Sequence, residues 1–173
     1  VKVEFVGPFI KAAIQALDSA AGVKSEHGQL AVRSATFTTQ QVSIVIGVDG
    51  AVEGQVVYGF SLVTATKIAA ALSNKPAMAF DESTSNAITE MGNAIGKCAA
   101  SLLAEAGYEC QIVPPKLIRG SDIQISTATP ALVVPLYTDF GKIEINVALQ
   151  EISGAGKAVI LQNESLEIAA AAG

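Results

Sequence analysis

Tryptophan is absent from this chain of 173 residues, histidine occurs once and cysteine twice. A Ser–His nucleophile would depend on that single histidine, His27, beside Glu26 in an expected loop, and the pattern argues against it. His27 with two distant cysteines, Cys98 and Cys110, offers no obvious zinc site, and two cysteines make no disulfide framework. Cys98 falls on the apolar face of a helix discussed below, where a buried, reduced thiol is expected. Basic charge is scarce: Lys+Arg number 11 against 16 Asp+Glu, for a net charge of −5. The basic residues are scattered singly from Lys2 to Lys157, and aromatics make up 5%. Nucleic-acid binding therefore has no electrostatic footprint. No run of about 20 apolar residues could span a membrane. The most apolar stretch, 131–137, follows Pro130 and is broken by Pro135. No charged-then-apolar leader pattern opens the chain, so the cytoplasm is the expected location. The start at Val1 rather than Met suggests trimming or renumbering. Gly47, Gly50, Gly54 and Gly59 punctuate strands and a turn, and form no phosphate-binding or dinucleotide fingerprint.

Half of the residues are hydrophobic, which is ample for one buried core. The mean hydropathy is +0.45. Charged residues are only 16%. Either some apolar surface is covered by a second subunit, or alanine inflates the apolar count.

Residues 8–21, PFIKAAIQALDSAA, place Phe9, Ile10, Ala13, Ile14 and Leu17 at helical spacing, with Pro8 in the first turn and Gly22 after the end. A strand is expected over 29–39. QVSIVIGVDGAVEGQVVYGFS reads as a hairpin turning at Asp49-Gly50. Residues 64–73 form a short helix stopped before Asn74 and Pro76. A long helix follows over 83–106, closed by Gly107. Asp81-Glu82 and Ser83-Thr84 supply N-terminal charge and capping. Then come a short strand over 108–113, a corner at Pro114-Pro115, a strand over 123–126 and a second hairpin turning at Asp139–Gly141. The expected domain spans 1–153, with an Ala-rich extension over 154–173.

The two halves look alike. Laying Ile10 on Ile95 also lays Leu17 on Leu102 and Gly22 on Gly107. A slightly longer offset lays Gly54-Gln55-Val56-Val57-Tyr58 on Gly141-Lys142-Ile143-Glu144-Ile145. This reads as a degenerate duplication of an α-β-β unit. The expected class is α+β: an antiparallel sheet with helices packed on one face.

On the long helix, Ile88, Met91, Ile95, Cys98, Ala99, Leu102 and Ala106 share one face. Asn86, Glu90, Asn93, Lys97 and Ser101 share the opposite face. The plain reading is a solvated face, with a local Glu90–Asn93–Lys97 network within reach along it. Two features resist it. Asparagine is a poor helix former, yet two stand on the polar face. Gly92 and Gly96 each cost about 1 kcal/mol relative to Ala. They would let another surface approach closely, either a partner's or that of a neighbouring element.

Glu90-x-x-Asn93 on an amphipathic helix, then Pro114-Pro115 and KLIRGSD, resembles the CheC/CheX/FliY family, CheX-like members most closely. VGPFIKAAIQAL, VSIVIGVDGAVEGQVVYGFS and the duplicated order extend the resemblance over nearly the whole chain. It implies a CheC-like fold and hydrolysis of the aspartyl phosphate on a CheY-like receiver domain of a response regulator. Asn93 would then orient the attacking water, and Glu90 would pair with the receiver's active-site lysine. Asn86, Lys97, Gly92 and Gly96 would contact the partner. Mg2+ would sit in the receiver, so no cofactor of this chain's own is implied. A homodimer is implied too. The family pattern places Asp or Ser four residues before the Glu, where this chain has Asn86, with Ser85 one position off. In the first half, Phe5 and Pro8 take the places of Glu90 and Asn93, so a single catalytic helix is expected. The alternative is a non-catalytic module of the same fold that binds a receiver or a flagellar-switch protein.

Overall fold

Two hairpins form the middle of the sheet. A computed structural model of the chain describes residues 2–76, 78–120 and 122–152. Among these, α1 is Val6–Ala21, α2 is Leu62–Ser73 and α3 is Glu82–Glu105. The strands are β1 (Ser25–His27), β2 (Ala31–Arg33), β3 (Thr36–Thr38), β4 (Val42–Gly50), β5 (Val52–Phe60), β6 (Cys110–Arg119), β7 (Gln124–Ser126), β8 (Ala131–Thr138) and β9 (Gly141–Glu151). The large sheet is antiparallel in the order β1-β8-β9-β5-β4-β6, and β2 also lies on β8. The fold is α+β, as the patterning predicts.

The duplication is present in space. α1 answers to α3, the β4–β5 hairpin to the β8–β9 hairpin, and β3 to β7. Both repeated helices end on a glycine in the left-handed region, Gly22 at φ 65° and Gly107 at φ 95°, where a side chain would be strained. The halves are interleaved. The strands that follow α1 pair with β8 of the second half, while β6, which follows α3, pairs with β4 of the first. β3 and β7 pair with each other. The two hairpins meet along β5 and β9, from Val52↔Glu151 to Phe60↔Ile143.

Alternation sorts the two faces of the sheet. Ile44, Ile46, Val56, Tyr58, Phe60, Ile143, Ile145 and Val147 are buried in the core shared with the three helices. Tyr58 reaches through it to donate a hydrogen bond to the Phe9 carbonyl of α1 at 3.0 Å. Burial holds its phenol well above its ordinary pKa, so it stays a donor. On the other face Val57, Ala131 and Ala148 pack against Phe37 and Ile125 of the small β3–β7 sheet. An ion pair also lies on this side, between Arg33 of β2 and Glu144 of β9. Arg33 donates to Asn146 Oδ1 at 3.1 Å and stacks over the Phe37 ring, 5.3 Å from its centroid. Asn146 in turn donates to the Val57 carbonyl at 3.2 Å.

Three expectations change. The strand expected over 29–39 is two short pieces, β2 and β3, preceded by the strand β1 where a loop was expected around Glu26 and His27. Gly28 faces Pro135, which has no N–H to offer, and β3 then leaves the large sheet to meet β7. Pro114 and Pro115 make no corner: β6 runs through them to Arg119. It is an edge strand with a register shift between Val45 and Gly47, where prolines are tolerated. Cys98 is half-buried at the edge between α1 and α3, not enclosed, with its Sγ 3.6 Å from Gln15 Oε1. The extension expected over 154–173 lies outside the described residues.

Arg33→Met is expected to lower unfolding free energy by roughly 2–3 kcal/mol, short of the value for a fully enclosed pair because the Arg33 side chain is 30% exposed. Arg33→Met with Glu144→Leu should recover most of that loss in urea titrations, because no orphan charge remains. The Asp81 carboxylate caps α3 by accepting from Thr84 N, which lowers its pKa from 3.8. Its contribution is therefore present above the unfolded-state value and lost as pH falls through the lowered one. Asp81→Ala should thus reduce the melting temperature at neutral pH and not at strongly acidic pH.

Candidate functional site

α3 is fixed at both ends and along its back. Asp81 Oδ1 accepts from Thr84 N at 2.9 Å and from Thr84 Oγ1 at 3.0 Å. Thr84, Ile88, Met91, Gly92, Ile95, Gly96, Ala99 and Leu103 are its buried residues. The buried arc is turned from the sequence expectation, with Leu103 in place of Leu102.

The two glycines explain that turn. A Cβ at Gly92 would stand 2.9 Å from Ile44 Cγ2, and one at Gly96 would stand 2.8 Å from Ile112 Cγ2. Their faces therefore lie against β4 and β6. Gly92 and Gly96 are buried and are struck from the partner-contacting set: the surface they admit is the protein's own sheet.

The polar strip faces outward. Asn86, Glu90, Lys97 and Ser101 are exposed, and Asn93 is half-buried. Around the helix, Asn93 falls between the glycine seam and Glu90, which accounts for its partial cover. Residues three apart on a helix carry their Cβ atoms about 5–6 Å from each other, so Glu90 and Asn93 rise together. Among the described residues Glu90 makes no ion pair, and no Glu90–Asn93–Lys97 network forms. Side-chain bonding on the first turns is local: Thr89 Oγ1 donates to the Ser85 carbonyl at 2.8 Å.

Beside this strip a shallow groove separates the end of α2 from the first turns of α3. It is lined by Ser73, Glu82, Ser83, Asn86, Ala87 and Glu90. Sequence reasoning missed Ser73 and Ser83 as site neighbours. Ser83 carried a signal as a first-turn residue, whereas Ser73 carried none, since only the tertiary fold brings α2 alongside α3. In the first half, Phe5 is buried at 1% exposure and Pro8 lies in the first turn of α1. That half presents no polar pair like Glu90 and Asn93. Among the described residues no group of three or more His, Cys, Asp or Glu could hold a metal ion, and no helix is long and apolar enough to cross a membrane.

A solvent-facing, unpaired carboxylate and an amide one turn apart, on a rigid helix, can anchor a cation and orient a small polar molecule. Comparison with known proteins bears on the family of the chain. The family described as chemotaxis phosphatase CheX matches residues 42–137, which include the β4–β5 hairpin, all of α2 and α3, and β6. The CheY-P phosphatase CheX of Thermotoga maritima is 27% identical over 150 residues, covering 86% of this chain and 96% of that protein. The crystal structure of the chemotaxis protein CheX from Desulfovibrio desulfuricans superposes with a TM-score of 0.77 at 25% identity, covering 87% of this chain and all of that one. The CheX in the CheX–CheY–BeF3–Mg complex from Borrelia burgdorferi gives 0.67 at 27% identity, over 87% of this chain and 100% of that one. With its interleaved fold and a family match over more than half of its length, the chain belongs to the chemotaxis phosphatase CheX family.

Proposed function

We propose that this chain accelerates hydrolysis of the aspartyl phosphate on a CheY-like receiver domain, using α3 as the docking and catalytic element. The observation that carries the reading is Glu90, exposed and unpaired, with Asn93 one turn away on a helix whose back is locked to the sheet. Hydrolysis is an in-line attack of water on phosphorus, breaking the bond to the aspartyl oxygen and releasing inorganic phosphate and a free carboxylate. Such transfers need positioning and charge stabilisation more than a strong base. An amide suits this. The Asn93 carbonyl accepts a hydrogen bond from the water, while its NH2 donates to a phosphoryl oxygen. Glu90 pairs with the receiver's lysine and seats α3 over the phosphoryl group. Mg2+ belongs to the receiver, so the donor set here needs no metal. Asn86 and Lys97 extend the contact along the same strip. A relative seen in complex with CheY, BeF3 and Mg2+ supports the choice of partner.

The reading places the protein in the cytoplasm with its receiver, as a homodimer. The open edge of β6 and the exposed Val113 support self-association. One observation favours the rival reading of a non-catalytic binding module: Asn86 stands where the family pattern asks for Asp or Ser.

Two substitutions separate binding from chemistry. Asn93→Ala should slow catalysed decay of the phosphorylated receiver by about 100-fold or more while leaving binding to a beryllofluoride-loaded receiver intact. Glu90→Ala should weaken that binding at least about tenfold and slow decay accordingly. Equal decay with wild type and Asn93→Ala would remove the catalytic role, and binding without any acceleration would establish the module instead. Gly92→Ala should behave differently from both. Crowding against Ile44 outweighs the gain in helix propensity, so stability falls by about 1–2 kcal/mol in denaturant titrations while receiver affinity is unchanged.

A further inference from the structure

The groove beside Glu90 has walls from two helices. Its lining comes from the last turn of α2 (Ser73) and the first turns of α3 (Glu82, Ser83, Asn86, Ala87 and Glu90). A linker, residues 74–81, joins those helices. Within the linker, Asn74 ends α2 in the left-handed region at φ 52°. At its other end Asp81 caps α3, and Thr84 Oγ1 donates to the Ala79 carbonyl at 3.2 Å as well as to Asp81. These are local bonds. They shape the linker without fixing it to the sheet.

Attachment to the sheet comes from Phe80 and Arg119. The Phe80 ring is 8% exposed and packs into the core. Arg119, the last residue of β6, donates from Nη1 to the Phe80 carbonyl at 3.0 Å and holds its guanidinium 5.1 Å from the Phe80 ring centroid. One side chain thus grips both the backbone and the ring of the residue just before the α3 cap. Among the described residues it is the side-chain hydrogen bond that reaches the linker from the sheet. The strand that carries it is the one α3 rests on. A Cβ on Gly92 would lie 3.5 Å from Pro115 Cβ, and one on Gly96 would meet Ile112. β6 therefore meets the α3 region at three heights: smooth glycine contacts over its middle and a directional clamp at its start.

We propose that Arg119 is a positioning residue for partner docking: by holding Phe80 it sets the width of the α2–α3 groove, and so governs receiver affinity rather than the hydrolytic step. Asn93 lies beyond the groove lining, on a part of α3 seated by Ile88, Met91, Ile95 and Ala99. Loosening the linker therefore disturbs the rim around Asn86 and leaves the water-positioning amide in place. The inference rests on the reading of α3 as the receiver-docking helix.

The test is steady-state dephosphorylation of a phosphorylated receiver, paired with binding to the same receiver loaded with beryllofluoride and Mg2+. It compares wild type, Arg119→Met, Arg119→Gln and Arg119→Lys, each checked for folding by its thermal transition. Arg119→Met is expected to raise KM and the dissociation constant about five- to tenfold with kcat within about twofold of wild type. Arg119→Gln keeps a donor for the Phe80 carbonyl and remains informative if the Met variant folds poorly; it should raise KM about two- to fivefold. Arg119→Lys keeps charge and donor but not the flat stacked face, so it should restore KM most of the way. Unchanged KM and affinity in both Arg119→Met and Arg119→Gln would overturn the proposal, as would a fall in kcat equal to or larger than the rise in KM. Wild type that neither binds nor accelerates decay would instead overturn the docking reading itself, which separates the two failures.

Discussion

Everything in this protein hangs on the ladder between β5 and β9. It joins the two hairpins through an unbroken register from Val52↔Glu151 to Phe60↔Ile143. The close approach requires Gly54, where a Cβ would stand 2.1 Å from the Ala148 carbonyl oxygen. With that seam closed, Tyr58, Val56, Ile145 and Val147 present one apolar face to the helices. Val57, Asn146 and Ala148 present the other to the small sheet and the Arg33 cluster. Burial of apolar area on both faces supplies the driving force, and the ladder decides which side chains share it.

The site is a consequence of that packing. α3 has to lie close to β4 and β6 because Gly92 and Gly96 leave no other way to fill the seam. Once it does, the opposite side of the helix can face only solvent. Glu90 and Asn93 are thus held by the rigidity of residues they do not touch. This suits a function in which side chains are lent to another protein's reaction centre. The order of the donor groups is pre-set, and little conformational freedom is lost on docking.

Much of this was legible in the sequence. Ile44, Ile46 and Val48 alternate plainly, and the two hairpins carry turn residues, so the sheet's middle and the α+β class followed from local pattern. The long helix and its polar strip followed from period. The repeat was visible in matched glycines and apolar positions. What failed were features decided by contacts far apart in sequence. β2 and β3 read as one strand, and β1 as a loop, because nothing local says that Pro135 faces Gly28, or that β3 pairs with β7. Pro114 and Pro115 read as a corner because the edge position and the register shift belong to β4 as much as to β6. The glycine seam was within reach: on the same helical wheel, Gly92 and Gly96 lie beside Leu103, inside the apolar arc. Counting Leu102 rather than Leu103 hid it. The α2 wall of the groove had no local signal at all.

The exchange of edge strands has a consequence for how such a molecule could be divided. α3 comes from the second half, yet it beds on β4 from the first, and each hairpin is flanked by a strand from the other half. Cutting the chain between the repeats would give two fragments with ragged, incomplete sheets, each stable only when wrapped around its counterpart. The same geometry is what two short identical polypeptides would make by embracing as a pair. Read this way, the present chain is laid out like such a pair written as one molecule, with Glu90 and Asn93 carried by α3 and a buried Phe5 and first-turn Pro8 in the matching places of the other half.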